Sequence, residues 1–469
     1  MIKNGLFLTA GNFAAGAMSF ARNVAIARLV GVEDFGVAST FAMIVGLADA
    51  LGYTGVDRLL LQAKDGDSAQ IQRTVHLANI SKGVVTAGVL LLMSEYVAAY
   101  FSVPETAWAY QVLAIGLLAR GFGNVDRFRY QRDMHFGPSI VMELAAGLAS
   151  LVCAVALGVV LGDYRAMLYA LLLYDFVFVA MSHIVAERPY RVSFDSAPLR
   201  RVLKFGWPLT INAVLLYAVM QGDRFIIGGA LGVEMLGLYS AALLLVSFPT
   251  NLVNKSLNSF FLPQISRVQE DSRRYAIYFE LLMQMALLTT FVMCAGYQIA
   301  GPAVLITMYG ESFASVAFLF LPLAMLHGLR LIRSAINTQA IARAQTTNPL
   351  VANLVRAMAL PVAWVVVDNG GGLAMVTLVA VVAEAIATMV ALSMLTRRSE
   401  PGLGAGVELV FLTLMGVAVV VLNDMVMHHG LRLPFWNVAF PALLAATALL
   451  LVWRTPLLRR WLLSGGRQL

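Results

Sequence analysis

The chain predicts an all-α polytopic membrane protein of about 14 transmembrane helices, two six-helix lobes related by pseudo-twofold symmetry plus two extra C-terminal helices. Three observations carry that prediction. First, the 469 residues are 60% hydrophobic and 13% charged, with a mean hydropathy of +0.79, whereas soluble proteins carry about 25% charged residues. Such a deficit leaves too little polar surface for a water-soluble body. Second, apolar stretches near the ~20 residues that span a bilayer recur along the whole chain. Third, the sequence repeats. Leu29-Val30-Gly31-Val32-Glu33-Asp34-Phe35-Gly36 returns as Ala230-Leu231-Gly232-Val233-Glu234-Met235-Leu236-Gly237, with Gly31, Glu33 and Gly36 mapping onto Gly232, Glu234 and Gly237 at one offset (232 − 31 = 201). Two similar hydrophobic halves are the mark of a secondary transporter, whose substrate site lies between them near the membrane midplane.

The apolar stretches fall near 5–30, 36–62, 76–101, 107–123, 138–161, 165–186, 203–230, 236–262, 275–300, 313–333, 348–367, 372–396, 405–427 and 434–453. Met1-Ile2-Lys3-Asn4 leads straight into the first, with no cleavage site after a short apolar core, so it reads as a span and not a removable leader. The first six make an N-terminal lobe, 1–187. A basic cytoplasmic linker, 188–202, carries Arg188, Arg191, Arg200 and Arg201. The next six make a C-terminal lobe, 203–396, in which Arg330, Arg333, Arg343 and Arg356 crowd the tenth and eleventh stretches. Two extra helices and a basic tail fill 397–469.

Orientation follows from the basic residues. With the N-terminus inside, one set of loops holds Lys64, Arg73, Arg127, Arg129, Arg132, Arg267, Arg273, Arg274, Arg397, Arg398, Arg459 and Arg460. The other set holds Arg165 and Arg432 beside Glu33, Asp34, Glu105, Asp163, Glu234, Glu311, Asp368 and Asp424. Both termini are thus expected in the cytoplasm. The net charge of +7 reflects this topology and not a nucleic-acid surface. The loops are too short for a catalytic domain. There is no GxxxxGK[ST] phosphate loop, no HExxH and no Cys/His cluster, so neither cofactor nor metal site is expected. Cys153 and Cys294 read as small apolar residues, and His428-His429 as an exposed pair.

The charges inside apolar stretches are the informative ones, because a charge at the bilayer centre costs about 2.5–3.5 kcal/mol on insertion scales. Arg22 in the first helix and Arg224, beside Asp223, in the seventh lie at matching depth. Arg28 lies near the outer edge, and Arg58, beside Asp57, and Lys255 lie in the inner parts of the second and eighth helices. Arg22, Arg28, Arg58, Arg224 and Lys255 form a candidate cationic ladder. A guanidinium fork suits phosphate or pyrophosphate. The competing reading is that they are structural ion pairs. Asp49, Asp175, Asp223 and Glu384 are candidates for coupling to H⁺ or Na⁺, or for neutralising the arginines, while the membrane potential is an alternative driving force. Asn212, Gln221, Tyr217 and Tyr239 suit either sugar hydroxyls or interhelical hydrogen bonds. Lys82 and Arg120 read as helix-end residues that snorkel.

Four stretches resemble the polysaccharide-transport branch, the Wzx-type flippases, of the multidrug/oligosaccharidyl-lipid/polysaccharide exporter superfamily. They are Ala27-Arg28-Leu29-Val30-Gly31 with Asp34-Phe35-Gly36; Leu51-Gly52-Tyr53 with Leu59-Leu60-Leu61-Gln62; Tyr130-Gln131-Arg132-Asp133-Met134-His135-Phe136; and Asp223-Arg224-Phe225-Ile226-Ile227-Gly228 through Leu236-Gly237-Leu238-Tyr239. The resemblance covers the first 270 residues or so and implies lobes that rock around a cationic cavity lined by the first, second, seventh and eighth helices. It implies an undecaprenyl-diphosphate-linked oligosaccharide as cargo, moved outward for exopolysaccharide, capsule or O-antigen assembly. It also implies polymerase or ligase partners; because one chain already contains both halves of a transport path, the protein is expected to function as a monomer. Alternatives are a lipid II flippase and a multidrug/cation antiporter of the same superfamily, the latter disfavoured by arginines where an organic cation wants carboxylates. A membrane polymerase or ligase would carry a substantial outer loop, and a scaffold would not explain charges at matched depth.

Overall fold

The computed structural model describes residues 2–396, apart from Thr54, Gln269, Ala344 and Thr346, and residues 436–458, apart from Arg454 and Pro456. Its regular elements are helices. The first eight are α1 (Ile2–Val30), α2 (Val32–Leu51), α3 (Val56–Gln62), α4 (Ala69–Tyr100), α5 (Ala107–Gly121), α6 (Arg127–Arg132), α7 (Gly137–Leu161) and α8 (Arg165–Ile184). They are followed by α9 (Ser196–Ala230), α10 (Val233–Arg267), α11 (Ser272–Tyr309), α12 (Phe320–Ala342), α13 (Thr347–Ala357), α14 (Ala359–Asp368), α15 (Leu373–Thr396) and α16 (Trp436–Trp453).

Among the described residues, ten helical stretches are long and apolar enough to cross a bilayer. The expected spans at 5–30, 107–123 and 434–453 are also helical, as α1, α5 and α16. The expected span at 405–427 lies outside the described residues, together with Arg397, Arg398, Asp424, His428, His429, Arg432, Arg459 and Arg460. The stretch expected as one helix over 36–62 is two. Gly52 ends α2, and Gly55, at φ 59°, precedes α3. The stretch at 348–367 is likewise interrupted, at Met358 between α13 and α14.

Packing divides the chain into two compact units, 1–241 and 242–469. This is a division by contact. The lobes drawn at 1–187 and 203–396 rest on the repeat and are a separate proposition. In the first unit, α7 packs on α1 and α8, α5 on α4 and α8, and α9 on α2 and α4. The α2–α5 seam is closed by a Thr40–Tyr110 hydroxyl pair at 2.6 Å and by the edge-on rings of Phe41 and Tyr110. The segment after α8 is strapped down as well. Asn124 Nδ2 donates to Arg188 O, and His76 Nδ1 faces Arg191 O at 2.9 Å. In the second unit, α11, α12, α13 and α15 enclose Phe261, Leu281, Leu287, Phe291, Ile336 and Ala387. Leu451 of α16 joins that core. Leu92 and Val160, each 77% exposed, are side chains for which lipid is the natural solvent.

The repeat has a structural counterpart within the first unit. Gly31 precedes α2 at φ 84° and Gly232 precedes α10 at φ 91°, a backbone region that glycine enters without a Cβ clash. Five residues on, Gly36 and Gly237 lie against each other. A Cβ on Gly36 would stand 1.8 Å from Val233 O, and one on Gly237 would stand 2.3 Å from Val32 O. Val32 and Val233 are themselves related by the 201-residue offset (233 − 32 = 201). The contact is therefore reciprocal, as at a twofold axis.

Candidate functional site

Arg22 and Arg224, the two arginines at matching depth, share one property. Arg22 Nη1 donates to Ser150 Oγ of α7 at 2.9 Å, and Nη2 reaches Ser19 Oγ at 3.5 Å. Arg224 Nη1 donates to Gln221 Oε1 and Nη2 to Ser240 Oγ, both at 3.0 Å. The Nε of each is buried without a hydrogen-bond partner. Among the described residues, no carboxylate forms an ion pair with either. Asp223, the sequence neighbour, accepts from the Arg224 backbone N–H at 2.9 Å and from Tyr239 OH at 2.6 Å. Both arginines thus lack a carboxylate at contact and are held in place by hydroxyl and amide groups. Such a group has electrostatic attraction left over for an anion.

Within the first unit, Arg22 and Arg224 have different surroundings. Arg22 lines a cavity of about 160 Å³ with Ser19, Arg120, Glu143, Leu171 and Tyr174, whereas Gln221 and Ser240, which hold Arg224, lie on α9 and α10. Arg28 is exposed near the end of α1, Arg58 is exposed on α3, and Lys255 is exposed on α10 in the second unit. Tyr217 and Tyr239 are committed to protein, Tyr217 OH donating to Met43 O at 2.6 Å and Tyr239 to Asp223. Gln221 serves Arg224.

A larger cavity of 550 Å³ in the first unit is lined by charges from α2, α3, α4, α5, α6 and α8: Asp49, Asp57, Lys82, Arg120, Arg127 and Asp175. Its centre is Arg120. The Nη1 group meets Asp49 Oδ2 and the Nε meets Asp175 Oδ1, each at 2.6 Å. This differs from the snorkelling expected of Arg120 near a helix end. The reason is tertiary: α2 and α8 each bring a carboxylate to the same guanidinium, and two opposite charges at contact outweigh the attraction of headgroups. The sequence offers Asp49 and Asp175 as acids that neutralise arginines, but not Arg120 as their shared partner, since it lies 71 and 55 residues away from them.

In the second unit, Glu384 of α15 meets Arg333 Nε at 2.5 Å, Arg356 Nε at 2.7 Å and Arg330 Nε at 3.5 Å. The arginines that crowd the tenth and eleventh stretches thus converge on one carboxylate. Among the described residues no group of three or more His, Cys, Asp or Glu side chains is arranged to hold a metal ion.

Outside the spans, Asp126 organises the edge of the first unit. It binds Arg129 at 2.9 Å and accepts the backbone N–H of Glu187 and Arg188 at 3.0 and 3.1 Å. Burial pushes its carboxyl up, but the Arg129 guanidinium and the two amides outweigh burial and hold it below the usual carboxylate range.

The all-helical fold of the described residues is shared with solved membrane exporters. The chain superposes on a lipid II flippase, MurJ, in an inward closed conformation with a TM-score of 0.67, covering 95% of this chain and 98% of that one at 12% identity. An inward-facing multidrug resistance transporter of the MATE family gives 0.63, covering 82% and 96% at 16% identity. At those identities the likeness shows the fold alone. Within that fold class the chain belongs to the polysaccharide-transport family, because residues 25–318 match the family model described as polysaccharide biosynthesis protein. It is similar to the lipopolysaccharide biosynthesis protein WzxC of Escherichia coli K12, 20% identical over 322 residues that cover 68% of this chain and 65% of that one. It is also similar to the succinoglycan biosynthesis transport protein ExoT of Rhizobium meliloti, 22% identical over 290 residues that cover 62% and 58%. The matched stretch thus spans under two thirds of both relatives' lengths. The chain is a multi-pass membrane protein of a polysaccharide flippase family.

Proposed function

We propose that the chain flips an undecaprenyl-diphosphate-linked oligosaccharide from the cytoplasmic to the outer leaflet of a bacterial inner membrane by alternating access. The delivered unit then enters exopolysaccharide, capsule or O-antigen assembly, where a polymerase or ligase takes it. The observation that carries the reading is that Arg22 and Arg224 are held by serines and a glutamine and not by carboxylates. A diphosphate crossing hydrocarbon leaves charge and hydroxyls unpaired, each polar group costing several kcal/mol. Preplaced guanidinium groups supply the missing partners, while a polyprenyl tail stays in lipid. In this reading the lobes are 1–187 and 203–396, both termini are cytoplasmic, and a single chain suffices.

The driving force in this reading is an H⁺ or Na⁺ gradient or the membrane potential. Asp49 and Asp175 are the acids best placed for coupling, because both hold Arg120 beside the 550 Å³ cavity. Protonating either one loosens its hold on that guanidinium.

The test is reconstitution in vesicles with a pyrophosphate-linked oligosaccharide lipid, comparing wild type with Arg22→Ala and Arg224→Ala, each checked for folding. Losing one charge-assisted contact to phosphate weakens cargo binding by about 1.5–3 kcal/mol, roughly ten- to hundredfold in rate at low cargo concentration. Variants that flip at the wild-type rate remove these arginines from the site. A folded wild type that moves only lipid II transfers the reading to the rival flippase.

A further inference from the structure

Among the described residues, the cluster around Glu384 is out of charge balance. Arg330 and Arg333 lie near the middle of α12, Arg356 near the middle of the Thr347–Asp368 span, and Glu384 in the middle of α15. All four are therefore far from either end of their spans. Arg333, Arg356 and Glu384 are buried, with 8%, 6% and 1% of their surface exposed. Even with Arg356 set aside, Arg330 and Arg333 together exceed the one charge of Glu384. A buried ion pair offsets its desolvation only when charge and hydrogen bonds are both satisfied, and an excess cation at mid-membrane depth is costly.

The geometry shows where the excess points. All three arginines reach Glu384 through Nε. The Nη ends of the Arg330 and Arg333 forks, which suit two oxygens of one tetrahedral anion, lie outside those ion pairs, while Arg356 Nη1 donates to Asn353 Oδ1 at 3.2 Å. Arg330 is the least satisfied member. Its Nε is buried with no hydrogen bond, and its Nη1 stands 3.5 Å from His327 Nε2.

We infer that Arg330, Arg333 and Arg356, held in register by Glu384, form an anion site in the second unit that takes a phosphate-class oxyanion. Glu384 is its positioning residue: it fixes the three forks and lowers the local charge so that the bound anion can still leave. The site shares no residue with Arg22 and Arg224 and does not rest on the flippase reading. The shared chemistry is a phosphate group, free in solution or on a lipid headgroup.

The experiment follows thermal unfolding of the full chain, purified in detergent without phosphate. Sodium phosphate is titrated against sodium chloride of equal ionic strength, and phosphatidylglycerol is titrated in a second arm. The expected result is a rise in the unfolding midpoint with phosphate, needing about tenfold or more higher concentration in Arg330→Gln. A rise with phosphatidylglycerol alone, lost in Arg330→Gln, supports the site with a lipid headgroup as its source. No rise in either arm, or the same rise in wild type and Arg330→Gln, overturns the inference. If Arg330→Gln does not fold, Glu384→Gln takes its place. Removing the competing carboxylate is expected to lower the half-saturating phosphate concentration about tenfold, and an unchanged or higher value overturns the inference.

Discussion

Replacing Arg120 by alanine leaves two carboxylates without their shared partner, and their surroundings set the size of the loss. The Asp175 side chain is 4% exposed and that of Asp49 is 49% exposed, with Arg120 between them at 26%. Removing one partner of a buried pair costs about 3–5 kcal/mol, while an exposed pair is worth about 0.2–1 kcal/mol. The cavity beside Asp175 lets water share in its solvation, so the low end applies and Arg120→Ala is expected to destabilise by about 3 kcal/mol. Asp175→Asn leaves Arg120 paired with Asp49 and costs less. Asp49→Asn costs about 1 kcal/mol or less. The assay is equilibrium unfolding in micelles, read as double-mutant cycles. Coupling of Arg120 with Asp175 is expected at about 2 kcal/mol, and coupling with Asp49 below about 1 kcal/mol. An Asp49 coupling equal to or larger than that of Asp175 would refute the argument that burial decides the worth of each bond. So would an Arg120→Ala loss under about 1 kcal/mol.

Gly36→Ala and Gly237→Ala each drive a methyl group into backbone, and each is expected to destabilise by about 1–3 kcal/mol or more. Gly88→Ala, where a Cβ meets nothing within 4 Å, is expected to stabilise α4 by about 0.5–1 kcal/mol in the same unfolding assay. The carboxyl of Asp126 is held low in the folded protein, against about 3.9 when unfolded, so its contribution is complete at neutral pH and is lost as pH falls below about 4. Hydrogen-exchange protection of the Glu187 and Arg188 amides should fall across that window in wild type. In Asp126→Asn it should be lower at neutral pH and flat across the same window.

The helical membrane fold was legible because hydrocarbon permits so few spanning structures that long apolar runs nearly determine it. The breaks were not. Gly52 and Gly55 sit inside an apolar run, and hydropathy does not distinguish a glycine that packs helices from one that ends a helix. Arg22 and Arg224 were legible as candidates, since ionised groups at depth stand out. Their partners were not, because Ser150 lies 128 residues from Arg22. Asp223 shows the opposite failure. It is adjacent to Arg224 in sequence, yet neighbours on a helix point about 100° apart, and its carboxylate serves the Tyr239 hydroxyl and a backbone N–H. Arg120 was misread because its helix-end position is visible in sequence, whereas the carboxylates that α2 and α8 bring to it are visible only in the fold.

The meeting of Gly36 and Gly237 places a limit on how the two halves can diverge. A homodimer with a twofold interface meets itself, so one change in its gene alters both sides at once. Here the two sides lie in one chain and are free to mutate separately, as most of the repeat has done. At this point that freedom is lost. Each glycine forms the wall against which the other packs, and neither has a side chain left to trim. A methyl group gained on one side cannot be accommodated by a loss on the other, so both positions are held to the smallest residue however far the rest of the repeat drifts.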